Sequence, residues 1–451
     1  MAYFAARDLT KGNIPRQLAQ FAWPLVLANL LQTLFGLTDM LIVGRLLGRD
    51  AMSAVTIGGQ STLFLLTFSL GLTAGGQIYI AQLKGAKKSE EQGRTVKALF
   101  LLSLIAGIAA ASLGFFLAPG MLRLLQTPEE ALEGARQYMQ ITSLGLLPAF
   151  LYNAAGGALR GQGDGKRPLV FAAVAAVLHL GLGLLFVGIF SMGISGAALA
   201  TVIAQGTAAL LGLISLSAHR WRPMDFVCRR TVYAPMLKIL KIGLPFGFQM
   251  CLLNLSALFV TRLVNPYGVA ASAALGAGSR VASLFVVPMM AIGNAASTMV
   301  GQNLGAGDSK RAAAAIRWAL VYALAFATVT TALALLFPAR FLAVFTGDPE
   351  VLKIGTQYLV ILAWSYAGHA LHSGFNAAML GAGRTMYSLS AAGAEALAGR
   401  MGLTWVFAGL WSLAGMFVAQ AIAPYLAAAL SIGYYATVRW RNSSQVYKNT
   451  S

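Results

Sequence analysis

Apolar positions dominate this chain in long unbroken runs, without the alternation that marks half-buried strands. Twelve such stretches stand out, near 17–43, 51–82, 96–118, 136–159, 168–190, 195–217, 237–262, 270–302, 314–337, 355–380, 388–410 and 412–437. A helix crosses the hydrocarbon layer with roughly 20 apolar residues, so each stretch is long enough to span a membrane. The dyad pattern of an outer-membrane barrel is missing, and a helix satisfies its own backbone in lipid where an open strand cannot. The pattern therefore predicts an all-α integral membrane fold of twelve transmembrane helices.

The runs also repeat. Gln82-Leu83-Lys84-Gly85-Ala86 returns as Gln302-Asn303-Leu304-Gly305-Ala306, Gln137-Tyr138 as Gln357-Tyr358, and Gly161-Gln162-Gly163 as Gly381-Ala382-Gly383, each 220 residues later. Allowing one-residue gaps, Pro24 matches Pro245, Pro128 matches Pro349, and Ser195-Gly196 matches Ala414-Gly415. This divides the chain into an N-terminal six-helix lobe, 1–217, and a C-terminal six-helix lobe, 237–451. The basic segment 218–236, bracketed by Pro223 and Pro235, joins them. Such a duplication in a membrane chain points to two bundles that share a binding site near the bilayer midplane.

Composition agrees: 58% of residues are hydrophobic, 10% are charged and the mean hydropathy is +0.70. The formal net charge of +19 is spread over short loops without interleaved aromatics, which argues for membrane topology and against a nucleic-acid partner. Most Lys and Arg fall on one side, for example Lys84, Lys87, Lys88, Arg220, Arg222, Arg384 and Arg439, whereas the opposite loops hold isolated residues such as Arg45, Arg123 and Arg340. Both termini are thereby expected in the cytoplasm, with the protein in the inner or plasma membrane. Because each half has an even number of spans, the repeat is expected to be parallel. The first apolar stretch is too long for a signal-peptide core and reads as a retained helix. Cys228 and Cys251 form no ligand-spaced cluster, so neither a disulfide nor a metal site is indicated. The chain has no nucleotide-binding glycine loop and no clustered catalytic set at one membrane face. The expectation is a monomeric transporter, not an enzyme, which uses no cofactor and is driven by an ion gradient.

Ionisable groups inside spans are costly and are the first candidates for function. Asp39, in Leu37-Thr38-Asp39-Met40-Leu41, has no basic residue within one turn, so it is placed to exchange a proton with whichever side water reaches it from. Glu395 lies about eleven residues beyond the loop holding Arg384, or ~16 Å along a helix, near mid-membrane. On an ideal α-helix Arg400 would stand about 140° away from it, which argues against a direct pair. His369 and His372 share a helix face, and His179 becomes a proton-site candidate if it faces Asp39. Tyr138, Tyr152, Asn153 and Thr201 in the first half, with Gln249, Asn254, His369 and Asn376 in the second, are polar groups available to line a cavity. Phe35, Phe248, Phe285, Met289, Met290 and Trp364 could supply an adaptable wall for cationic aromatic molecules.

These residues resemble the multidrug and toxic compound extrusion family over nearly the whole chain. The likeness rests on Thr38-Asp39-Met40-Leu41-Ile42-Val43-Gly44-Arg45-Leu46-Leu47-Gly48, on Leu159-Arg160-Gly161-Gln162-Gly163-Asp164, on Gly196-Ala197-Ala198-Leu199-Ala200-Thr201, and on Gln302-Asn303-Leu304-Gly305-Ala306-Gly307-Asp308. The resemblance implies a V-shaped, two-lobed exporter that exchanges external H⁺ or Na⁺ for cytoplasmic cationic, usually aromatic, compounds. It also implies that Asp39 is the cation-responsive carboxylate of the first helix. Members with an N-lobe sodium site carry an Asn and an Asp where this chain has His179 and Gly183. The acids of another branch, in the seventh and tenth spans, are matched by Asn254 and His369. With oxygen donors missing at both places, H⁺ is favoured over Na⁺ as coupling ion. The alternatives are Na⁺-coupled drug antiport and the flipping of lipid-linked saccharides, whose anionic cargo would call for more cavity arginines than Arg400.

Overall fold

The computed structural model describes residues 7–124, 129–217, 229–437 and 439–442; the side chains of 34–41, 49, 50, 124, 229–231, 439 and 442 lie outside the described set. The described residues form helices and no β-strand. The first half consists of α1 (Ile14–Leu46), α2 (Arg49–Gly85), α3 (Ser89–Phe116), α4 (Ala118–Leu124), α5 (Glu129–Leu144), α6 (Leu146–Gly161), α7 (Lys166–Gly183) and α8 (Gly193–Ser217). The second consists of α9 (Arg229–Val264), α10 (Val269–Gly305), α11 (Ser309–Leu336), α12 (Pro338–Ala343), α13 (Pro349–Ala363), α14 (Ser365–Gly381), α15 (Thr385–Gly393) and α16 (Thr404–Ala436). A π-helical stretch, Leu184–Ile189, extends α7, and another, Ala394–Leu403, joins α15 to α16.

Eight helical stretches among the described residues are by themselves long and apolar enough to cross a membrane. The remaining crossings come from α1, from the broken pairs α5–α6 and α13–α14, and from the bend at Trp411 and Ser412 that divides Thr385–Ala436 into the eleventh and twelfth spans. The breaks within the fourth and tenth spans are alike. Gly145 N–H donates to Thr142 O and Trp364 N–H to Ile361 O, so each joint is a single tightened turn.

The sequence repeat is a repeat of contacts. Gly58 of α2 lies flat against Tyr138 of α5, where an added Cβ would come within 3.1 Å of the ring, and Gly278 of α10 does the same against Tyr358 of α13. Gly161 approaches the carbonyl oxygen of Gln77, and Gly381 that of Ser297, both so closely that a Cβ would sit at 2.7 Å. The left-handed backbone positions recur too: Lys87 (φ 58°) with Gly307 (φ 80°), Gly163 with Gly383, and Ser191 with Ser412. Glycine tolerates this conformation and Lys87 does not, so one turn is strained in the first half and relaxed in the second.

The helices gather into two compact units that exchange segments relative to the sequence division. Within the described residues, one unit is drawn from Met1–Asp8 and Leu27–Gly247, the other from Leu9–Val26 and Phe248–Ser451. In the first unit the beginning of α9 packs on α2 through glycines four residues apart on each helix. A Cβ on Gly71 would meet Gly243 O at 2.8 Å, and one on Gly75 would meet Ile239 O at 2.4 Å. Only small residues allow backbones this close. In the second unit the peptide of Leu9 is held from both sides, its N–H donating to Gln302 Oε1 (3.1 Å) and its carbonyl accepting from Asn303 Nδ2 (3.2 Å). Arg311 Nη2 donates to Gln17 Oε1 and Tyr322 OH to Pro15 O. Helix α9 already begins at Arg229, so residues 229–236 of the expected linker are helical and Pro235 lies inside a helix; residues 218–228 are outside the described set.

Candidate functional site

In the first unit the candidate site forms around the C-terminal half of α1. Ile42 and Val43 are buried with Val55, Tyr138, Val187, Ala197 and Ala198 in one apolar cluster, so the end of α1 is wedged among α2, α5, the extension of α7, and α8. A Cβ on Gly183 would meet Ile42 Cδ1 at 3.0 Å, which fixes α7 directly beside α1 at that level. Odd-numbered spans run in the same direction, so one turn back along each helix lie Asp39 on α1 and His179 on α7. The Asp39 backbone is therefore level with His179; its side chain is outside the described set.

His179 is buried, and its Nε2 lies 3.3 Å from Thr201 Oγ1 on α8. The Thr201 hydroxyl also donates to Ala197 O at 3.2 Å. Two candidates placed far apart in sequence are thus in contact. Tyr138 is a packing residue of the apolar cluster, pressed on Gly58. Tyr152 and Asn153 are buried on α6, where Tyr152 interacts with Gln32 of α1 and with Arg160. Arg160, which follows the fourth apolar stretch, lies in the last turn of α6, is part-buried and donates through Nε to Gln77 Oε1 at 2.9 Å. The signal for this pair was the glycine-rich stretch Gly156-Gly157 one turn before it, which leaves room for the guanidinium.

In the second unit Glu395 and Arg400 correct the sequence expectation. They make a direct pair, Arg400 Nη2 to Glu395 Oε1 at 2.8 Å, with the carboxylate buried and the guanidinium mostly so. The physical reason is the π-helical geometry of Ala394–Leu403, which closes i to i+5 and brings residues five apart onto one face. His369 and His372 of α14 lie within electrostatic reach of Glu395. His372 Nδ1 lies 3.0 Å from Ser431 Oγ on α16. Gln249 is buried and its Oε1 accepts from Ser388 Oγ at 2.8 Å, tying α9 to α15. Asn376 is buried, with no hydrogen-bond partner for its Oδ1 among the described residues. Asn254, by contrast, is exposed on α9.

Of the residues offered as an adaptable wall, Phe285 and Met289 are core, with Phe285 set edge-on to Tyr366 and Phe341. Phe248, Met290 and Trp364 are exposed. Phe35 lies outside the described side chains.

The MatE family model matches the chain twice, over residues 24–185 and 245–405, in the register of the internal repeat. A probable multidrug resistance protein of Bacillus subtilis, YpnP, is 34% identical over 361 residues, covering 80% of this chain and 81% of the relative. A FAD transporter of Shewanella oneidensis is 26% identical over 79% of this chain and 80% of its own length. Among solved structures, a MOP superfamily transporter from Pyrococcus furiosus superposes with a TM-score of 0.90 at 21% identity, covering 97% of this chain and 98% of that one. A Vibrio cholerae MATE transporter also reaches 0.90, at 22% identity over 95% and 98%. With its two matched repeats, its relatives at more than 30% identity and its twelve-helix fold, the chain belongs to the MatE family of multidrug and toxic compound extrusion transporters, a multi-pass membrane protein.

Proposed function

We propose that this protein is an H⁺-coupled antiporter of the inner membrane that exports cationic aromatic compounds from the cytoplasm by alternating access, as a monomer with both termini cytoplasmic. The observation that carries the reading is that buried His179, hydrogen-bonded to Thr201, lies at the level of the Asp39 backbone. An acidic residue and an imidazole at one level of neighbouring helices suit a proton, whereas a sodium ion would need the oxygen donors that His179 and Gly183 do not supply. Protonation of Asp39 changes the preference between the two access states, and a cationic compound competes with the proton for the same space. Coupling requires only that each bind the two states unequally. The relatives named as multidrug resistance proteins support the cargo class.

The test is dye efflux from loaded cells of a drug-sensitive host expressing either the protein or its Asp39→Asn variant. The wild type is expected to lower accumulated cationic dye, and the variant to lose that activity while reaching the membrane in equal amount. Unchanged efflux by the variant would remove Asp39 from the mechanism. A relative transports FAD by name, so a flavin arm belongs in the same assay; efflux of the flavin without the dyes would overturn the cationic cargo.

A further inference from the structure

A cavity of about 360 Å³ opens at the start of α11, lined by Ser309, Lys310, Ala313, Arg317, Tyr435 and Arg441. Three of these six side chains are cationic and none is acidic. The nearest acid in sequence, Asp308, is occupied as the N-cap of α11, its carboxylate accepting from the Arg311 N–H at 2.8 Å. The positive end of a 28-residue helix adds to the field of the three cations.

The far wall is built. Trp440 is fully buried, its Nε1 donates to Tyr435 O at 3.1 Å, and its ring stacks on that of Tyr435 with centroids 5.4 Å apart. Tyr435 is backed in turn by Phe375. The Arg441 guanidinium rests over Trp440, 5.6 Å from the ring centroid, so the turn that carries it is anchored into the bundle.

Bilayer-ward of the cations the surface changes character. Along the same face of α11, Arg317 is followed one turn on by exposed Val321 and a turn further by half-buried Leu324, while Trp318 is exposed at the level of Arg317. A cationic pocket that leads directly into an apolar lane, with an amphipathic ring at the boundary, fits a molecule with a phosphate head and acyl tails. It does not favour a free anion, which would gain nothing from the lane. The loop between α10 and α11 lies on the face that the charge distribution assigns to the cytoplasm, the leaflet side where basic pockets meet anionic lipid.

We propose that this cavity is a binding site for the phosphodiester headgroup of an anionic phospholipid, held by Lys310, Arg317 and Arg441. The site is separate from the buried polar groups of the transport reading and does not depend on them.

The test is thermal unfolding of the detergent-purified full chain titrated with short-chain phosphatidylglycerol, short-chain phosphatidylcholine or glycerol 3-phosphate. Phosphatidylglycerol is expected to raise Tm at concentrations roughly 100-fold below those at which phosphatidylcholine acts, about fivefold for each cation. Substitution of Lys310→Gln, Arg317→Gln and Arg441→Gln together should abolish that preference. If the triple variant does not fold, Arg441→Gln alone, on a surface turn, should weaken it about fivefold. Equal shifts with both lipids, an equal shift with glycerol 3-phosphate, or an undiminished preference in the variants would each overturn the proposal.

Discussion

Glu395 and Arg400 are five residues apart on one helix and nevertheless meet at 2.8 Å, because the backbone between them is π-helical. The pair makes a first prediction. Arg400→Met leaves the buried Glu395 carboxylate without its cation and is expected to cost about 3–5 kcal/mol, whereas Arg400→Met with Glu395→Gln recovers most of that loss. Thermal denaturation of the three purified proteins measures it, and equal loss in the single and double variants would mean that the pair is not a unit.

The repeat itself supplies a second. Lys87 adopts φ 58° at the turn where the other half uses Gly307. Lys87→Gly should therefore raise stability by about 1 kcal/mol, and Gly307→Ala should lower it by a similar amount. Opposite signs in denaturation midpoints are the expected result.

A third concerns the crossing of α2 and α9. Leucine at Gly75 has no space, since even a Cβ would stand 2.4 Å from Ile239 O, so Gly75→Leu is expected to cost 1–3 kcal/mol or more by overpacking, roughly the usual range for a filled contact. Gly276, with nothing within 4 Å of its would-be Cβ, should accept Ala without loss. Comparing the melting of the two variants separates close approach from a general intolerance of substitution.

The held peptide of Leu9 gives a fourth. The first repeat has Leu83 where the second has Asn303, and Asn303→Leu would remove the donor to Leu9 O. With that carbonyl left to Arg311 Nε at 3.4 Å, a loss of about 1–3 kcal/mol is expected, together with faster hydrogen exchange over residues 9–17.

Much of this was legible in the chain. Long apolar runs announced the spans, and Gln137-Tyr138 against Gln357-Tyr358 announced the repeat, because the tyrosines are packing residues whose glycine partners recur with them. The exchange of helix segments was not legible, since it is decided by backbone approach at Gly71 and Gly243 and by two amides at one peptide, and neither leaves a periodic trace. The Glu395–Arg400 pair was missed for a similar reason: 140° of separation follows from α-helical geometry, and nothing in Ala394–Leu403 signals the wider turn. The pairing of His179 with Thr201 required knowing which faces of α7 and α8 meet.

Proton coupling is tested most directly in proteoliposomes holding the purified protein and a fluorescent cationic substrate, with either a pH gradient or a Na⁺ gradient imposed. The account predicts substrate movement against the imposed pH gradient, absent in Asp39→Asn, and no response to Na⁺ alone; movement driven by Na⁺ at uniform pH would contradict it.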